Sequence, residues 1–209
     1  HLGHPWPQNA KGHLLGDVTD QGRSPTDPTS RGNELGGIPL PFHSDGSDLV
    51  GLFCLDAGAA GGDSLVANAV TIHNDLVRSD PEVASLLYEP FPYDLRGEQA
   101  PGSKSWYTMP VFTRCGDRLF VRYIRPYIES SRRHPDAPRP SAEARAALDR
   151  LDAVVLVQRK RRELAQRSRH AFHSERPHDQ GIVHTLQSLV VHIAVGVRRP
   201  VLSPQQLQR

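Results

Sequence analysis

"LPFHSDGSDLVGLFCL", residues 40–55, carries the decision about fold class. A polar turn, "SDGSD", separates two apolar pieces, and an imidazole and a carboxylate stand two apart at its start, His43 and Asp45. "LVGLFCL" (49–55) is apolar and β-prone, bounded by turn-forming residues on both sides, and reads as a buried strand. On extended backbone, residues i and i+2 share a face. His43 and Asp45 therefore project together, with Ser44 turned the other way. Two readings of the pair stay open on these residues alone. In one, Asp45 caps the backbone of the turn and His43 is a surface residue. In the other, they are two corners of a 2-His-1-carboxylate facial triad, which holds Fe(II) through three protein ligands and leaves three positions open. The third corner would then be a His from a distant part of the chain. The spacing alone is weak, because among 209 residues with 11 His about one His-x-Asp match arises by chance.

Outward from this stretch, residues 1–40 are rich in Gly, Pro, Asp and Asn and read as loop with short extended pieces. "SLVANAV" (64–70) reads as a second strand, and "TIHNDLVRSDPEVASLLY" (71–88) as helical. Within the latter, Asp80 followed by Pro81 is an N-cap and first-turn signal for a new helical turn. Leu76, Val83, Leu86 and Leu87 are its core-facing set. "SWYTMPVFT" (105–113) is β-rich, with Pro110 demoting part of it to an edge or bulge. "RCGD" (114–117) is a turn leading into "RLFVRYI" (118–124), so the two runs form a hairpin whose faces are both partly covered. After a Pro-rich connection (134–140), Ser141 caps a long helix with Glu143 in its first turn, and Ala144, Leu148, Leu151 and Val155 make one apolar stripe. The expected class is mainly β with inserted helices, an antiparallel sandwich or jelly roll.

The length suits one domain with a real core. No apolar run reaches 18 residues, which argues against a membrane span. The first residue is His1, so a fragment or processed chain is expected, and "HLGHPWPQNAKG" lacks the apolar stretch of a signal peptide. Two cysteines, Cys54 and Cys115, are too few for a disulfide framework or a Cys-rich zinc site, and a reducing cytoplasm is the expected location. Cys54 reads as a core thiol and Cys115 as an unreactive turn residue. The net charge of +2 hides an asymmetry: residues 1–154 hold 15 Lys and Arg against 20 Asp and Glu, whereas residues 155–209 hold 10 against 3. Only Phe172 is aromatic beyond Val154. Such a shift marks a boundary.

The wording around the His-x-Asp pair decides between its two readings. "PFHSDGSDLVGLFCL", "GGDSLVANAVTIHNDL", "LYEPFPYDLRGE", "WYTMPVF", "VRYIRPYIESSRR" and the N-terminal "LGHPWPQNAKGHLLGDVTDQGR" together resemble the TauD/TfdA family of Fe(II)/2-oxoglutarate-dependent dioxygenases. The resemblance covers roughly residues 1–154, the expected dioxygenase-like core. It implies a double-stranded β-helix, here expected to be incomplete at the C-terminus. It implies His43 and Asp45 as iron ligands, Ser64 in contact with 2-oxoglutarate, and Fe(II), 2-oxoglutarate and O₂ as cofactor and cosubstrates. The implied activity is hydroxylation of a small organic molecule coupled to decarboxylation of 2-oxoglutarate to succinate.

Residues 155–209 do not share that wording and read as an atypical basic tail, with an altered reading frame near codon 155 as one explanation. The family also calls for a distal His ligand and an Arg whose planar fork meets the far carboxylate of 2-oxoglutarate. His184 in "GIVHTLQ", with Arg198 following 14 residues on, has a suitable interval, although His and Arg are abundant enough here for such a spacing to be coincidental. The alternative reading is a catalytically dead, truncated or frameshifted family member. A weaker third is nucleic-acid binding through "QRKRRELAQRSRH" (158–170), which lacks interleaved aromatics and reads more simply as a solvated helix face. "SLVVHIAVGV" (188–197) is β-branched enough to pair as a strand. His73 reads as a surface or capping residue, Trp106 and Tyr107 as core packing, and the Arg-rich 122–133 as a solvated edge rather than an anion site. The sequence does not indicate the oligomeric state.

Overall fold

The computed structural model describes residues 4–5, 7–35, 38–47, 49–53, 65–116, 118–173 and 191–193, with side chains described as far as Gln158. Among the described residues, six short strands and four α-helices follow one another: β1 (Leu49–Gly51), α1 (Ala69–Ser79), α2 (Pro81–Leu86), β2 (Pro90–Asp94), β3 (Trp106–Pro110), β4 (Phe112–Cys115), β5 (Arg118–Val121), α3 (Arg125–Ser130), α4 (Ala142–His173) and β6 (Val191–Ile193). The strands pair antiparallel as β1–β6, β2–β3 and β4–β5. Antiparallel pairs with inserted helices were the expectation, but among the described residues the helices hold more of the chain than the strands, and no barrel closes.

The helices start where local chemistry tells them to. Asp80 turns the chain between α1 and α2: its carboxylate accepts the Val83 N–H at 3.2 Å, and Pro81 begins α2. Ser141 caps α4 by accepting the Ala144 N–H at 3.1 Å, with Glu143 in the first turn. The apolar stripe of α4 is buried as its spacing predicts, through Leu148, Leu151 and Val155, with Ala147 and Val154 beside them. It packs on α1 and α2, whose Leu76 and Leu87 are fully buried, while Val83 and Leu86 pack partly buried against the same core. Phe91, Tyr93, Val111 and Phe112 from the strands complete the interior.

Three expectations need correction. "SLVANAV" forms no strand over its described part: residues 65–68 belong to no element, and α1 begins at Ala69 because Asn68 accepts the Thr71 N–H at 2.9 Å. An N-cap hydrogen bond outweighs the β-propensity of Val66 and Val70. The stretch from Leu49 is not a buried strand: β1 is only three residues long, Leu49 and Leu52 are exposed, and Phe53 is 83% exposed. None of β1 enters the core cluster, so alternation of apolar residues had no face to bury there. The run read as a strand over 118–124 is one only as far as Val121, and the helix α3 follows from Arg125 with Pro126 in its first turn. Cys54 lies outside the described residues; Cys115 is free and exposed at the end of β4.

Pro110 acts as a switch of partner. Residues up to Pro110 pair with β2, in the register Tyr93↔Tyr107 and Asp94↔Trp106. Residues from Phe112 pair with β5, in the register Phe112↔Val121 and Cys115↔Arg118. The expected hairpin is thus present, and all four residues of β5 are partly covered. One more bond, Arg122 N–H to Val111 C=O at 2.9 Å, carries the hairpin up to the residue after Pro110.

At the far end of β2, the side chain of Asp94 is fully buried. Burial alone would raise its pKa. Hydrogen bonds from the Arg133 guanidinium (2.7 and 3.1 Å), from His134 Nε2 (3.0 Å) and from the Arg96 N–H (2.9 Å) overcome that and hold it at about 2. The last of these bonds also supports Arg96 in the left-handed region, φ 52°. The Arg96 guanidinium then bonds the Ser30 and Pro126 carbonyls and lies over the Tyr127 ring, tying the N-terminal loops to α3.

Asp94 is charged in the fold at pH values where the unfolded chain, with an ordinary carboxyl near 3.9, becomes protonated. Its contribution is therefore complete above about pH 4 and is lost as pH falls toward 2. Asp94→Asn is expected to cost about 2–3 kcal/mol near pH 7, a difference from wild type that closes as pH falls from 4 to 2. Urea unfolding of both proteins across that range measures it. Asn68→Ala, which removes the cap of α1, is expected to cost about 1 kcal/mol by the same method.

Candidate metal centre

His43 and Asp45 lie in the loop that precedes β1, at the level where β5 ends. Phe42 anchors the loop by packing against the core cluster. Ser44 is held from the other side: its N–H donates to Tyr123 C=O at 2.8 Å, and its Oγ accepts the Tyr123 N–H at 2.7 Å. With Ser44 facing the protein, its two neighbours face away from it together. His43 Nε2 stands 3.9 Å from Asp45 Oδ1, with the side chains 28% and 39% exposed.

The imidazole is oriented by its other nitrogen. His43 Nδ1 lies 2.8 Å from the Pro41 carbonyl, a contact that takes the Nδ1 proton and leaves Nε2 as the nitrogen near Asp45. A ring nitrogen fixed on a backbone carbonyl while the other is free is the arrangement that metal-binding histidines use. Two neighbouring donors on an octahedral ion with bonds of about 2.1 Å sit about 3 Å apart. The pair would thus close by about 1 Å, a small adjustment for two half-exposed side chains on a loop. The donor types, one neutral imidazole and one carboxylate, suit two of three ligands of a non-haem Fe(II) site. No third His, Cys, Asp or Glu joins them among the described residues. Ser64, His184 and Arg198 lie outside the described residues.

Around the pair, several residues act in ways that spacing could not reveal. Arg122 donates from Nη1 to the Ser44 carbonyl at 2.9 Å and from Nε and Nη2 to Tyr107 Oη at 3.1 and 3.0 Å. Tyr107 stacks on Tyr93 across the β2–β3 pair, ring centroids 5.2 Å apart. Tyr93 Oη donates to the Arg122 carbonyl at 2.5 Å, and burial pushes that phenol's pKa above its ordinary value. Tyr123 Oη donates to Asp152 on α4 at 2.6 Å; burial, then the bond to that carboxylate, raises this phenol too. Arg125 closes the ring by reaching Asp149 and Asp152 at 2.7 and 3.4 Å and Glu129 at 2.8 Å. The arginines of 122–133 are therefore mostly engaged inside the protein and do not form a free solvated edge. The remaining signal in the sequence was the alternation of Arg and Tyr in "RYIRPY".

His73 also departs from expectation. It is 9% exposed, and it bonds Tyr88 Oη at 2.7 Å through Nε2 and Asn74 Oδ1 at 3.0 Å through Nδ1. Its ring meets Phe112 edge-on at 5.1 Å, so it is a satisfied core histidine. A cleft of about 370 Å³ opens between α1 and α4, lined by Asp75, Arg78, Arg150 and Val157 among others, and residues 40–46 take no part in it.

A His and an Asp, both partly exposed, thus approach one another beside a strand end. The family of sequences described as "Taurine catabolism dioxygenase TauD, TfdA family" matches residues 2–183, and the chain belongs to it. The match continues past Val154, where the resemblance was read to end, and α4 crosses that position without a break. Over 157 residues the chain is 32% identical to "FR-33289 synthase" of Streptomyces rubellomurinus (strain ATCC 31215), covering 74% of this chain and 46% of that protein. Over 104 residues it is 31% identical to "Taurine hydroxylase-like protein SAT17" of Stachybotrys chartarum (strain CBS 109288 / IBT 7711), covering 49% and 25%. The aligned part thus spans about half of the first relative and a quarter of the second. Membership implies a jelly-roll fold and a dioxygenase family, and does not favour the reading of a dead product. No helix among the described residues is long and apolar enough to cross a membrane.

Both acceptor groups of the pair are half-exposed, and neither supports the core. In the metal-free protein, His43→Ala and Asp45→Ala are each expected to change unfolding free energy by no more than about 0.5 kcal/mol. Thermal unfolding in the presence of a chelator checks this.

Proposed function

We propose that the chain belongs to a non-haem Fe(II)- and 2-oxoglutarate-dependent dioxygenase that hydroxylates a small organic molecule. The observation that carries the reading is the convergence of His43 Nε2 and Asp45 Oδ1 at 3.9 Å, in a chain of the TauD/TfdA family. In this reading His43 and Asp45 hold the metal from one side, and Pro41 keeps the imidazole in the tautomer that can donate through Nε2. Ser64 contacts 2-oxoglutarate, a role taken from the family resemblance. Fe(II) held there would supply the oxidising chemistry with 2-oxoglutarate and O₂ as cosubstrates: one oxygen atom of O₂ would enter the C–H bond and the other the succinate formed as the keto acid loses CO₂. The protein's part is to hold the ligand geometry, to keep the reacting groups away from bulk water and to place the substrate. A third ligand is required, and the described residues do not provide it.

The test is anaerobic titration of the full chain with Fe(II) and 2-oxoglutarate. A weak visible charge-transfer band is expected, and it should vanish in His43→Ala. A folded wild-type chain that gives neither the band nor measurable Fe(II) binding would overturn the proposal.

A further inference from the structure

Ser44 is bonded in an unusual way for a residue beside a strand end. In a regular antiparallel pair, two facing residues exchange N–H to C=O bonds in both directions. Ser44 gives its N–H to Tyr123 C=O at 2.8 Å, but it receives the Tyr123 N–H on its side-chain Oγ, at 2.7 Å. Its own carbonyl is thereby released from the strand, and Arg122 Nη1 takes it at 2.9 Å. The two other guanidinium donors of Arg122 meet the single Tyr107 oxygen, at 3.1 and 3.0 Å. That phenol is fixed in turn by its stack on Tyr93, and Tyr93 Oη holds the Arg122 carbonyl. Every polar group of Ser44 is thus engaged, and the dihedral angles of the residue between His43 and Asp45 are set by partners on β3 and the end of β5.

Those dihedrals decide whether two side chains at i and i+2 point the same way. Rotation of the Ser44 carbonyl toward Tyr123, the ordinary strand arrangement, would move Asp45 relative to His43. We infer that Arg122 and Ser44 are positioning residues for the candidate metal centre: the Arg122 fork, braced on Tyr107, holds the Ser44 carbonyl so that His43 and Asp45 face one cation. The inference rests on the reading of His43 and Asp45 as metal ligands. Groups that orient metal ligands from behind typically change metal affinity by about 10- to 100-fold when removed.

The experiment is Co(II) titration of the full chain, followed by visible absorption, for wild type, His43→Ala, Ser44→Ala, Ser44→Thr and Arg122→Gln, with circular dichroism on each. Ser44→Ala and Arg122→Gln should weaken Co(II) binding about 10- to 100-fold with secondary structure retained. Ser44→Thr, which keeps the hydroxyl, should bind like wild type. A purely structural role would alter unfolding without this dependence on the hydroxyl. If wild type binds Co(II), His43→Ala abolishes it, and both Ser44→Ala and Arg122→Gln bind as wild type does, the positioning role is wrong while the ligand assignment stands. If wild type binds no Co(II), or His43→Ala binds it equally well, the ligand assignment fails and the positioning role goes with it. Should Arg122→Gln not fold, Ser44→Ala against Ser44→Thr decides, since that pair differs from wild type by only a few atoms.

Discussion

Tyr123 joins the candidate centre to the body of the molecule. Its backbone exchanges two hydrogen bonds with Ser44, its ring lies in the core, and its hydroxyl reaches Asp152 on the long helix. Without that residue the loop bearing His43 and Asp45 would be a polar turn like any other. With it, the turn is fastened to a buried aromatic that α4 in turn holds by a charge-assisted bond. Burial of the phenol and the adjacent carboxylate both resist loss of its proton, so the link persists across the neutral range.

A second anchor sits at the end of β2, one residue beyond Tyr93. Asp94 accepts from Arg133, His134 and the Arg96 backbone while fully buried. A buried carboxylate is tolerable only when its lone pairs are met, and here they are met by donors from two separate segments, Arg133 with His134 and the turn at Arg96. The consequence is long-range: Arg96 reaches back to Ser30, and Glu98 reaches the Arg31 guanidinium at 3.5 Å, so the loops of the first forty residues are tied to β2 and α3. Tyrosine and arginine alternate through both anchors, in one case supporting a candidate site and in the other a loop-rich N-terminal segment.

Helix starts were legible because capping is a local interaction. Asp80 with Pro81, and Ser141 with Glu143, find their partners within three residues. The stripe of α4 was legible because burial of one helix face imposes a period on the sequence. Strand assignments fared worse where they depended on neighbours. Leu49 to Leu52 look like core residues but meet no core, and Val66 and Val70 look like strand residues but flank the Asn68 cap. Pro110 was read as demoting part of its run to an edge or bulge, and only the pairing shows that the run exchanges β2 for β5 as its partner just after it.

The sequence by itself supplied the donor types of the candidate centre: an imidazole and a carboxylate two apart, on backbone where alternate residues share a face. It also supplied the wording that resembles the TauD/TfdA family, which the family match over residues 2–183 shows to be membership. Only the tertiary structure decided that His73 is a core residue, that Arg122, Arg125 and Arg133 are tied to groups elsewhere in the fold, and that Ser44 is clamped by residues 78 and 79 positions away. The physical reason is range. Periodicity and capping are properties of neighbouring residues, whereas the orientation of a side chain depends on whichever distant hydrogen-bonding group the fold brings within 3 Å.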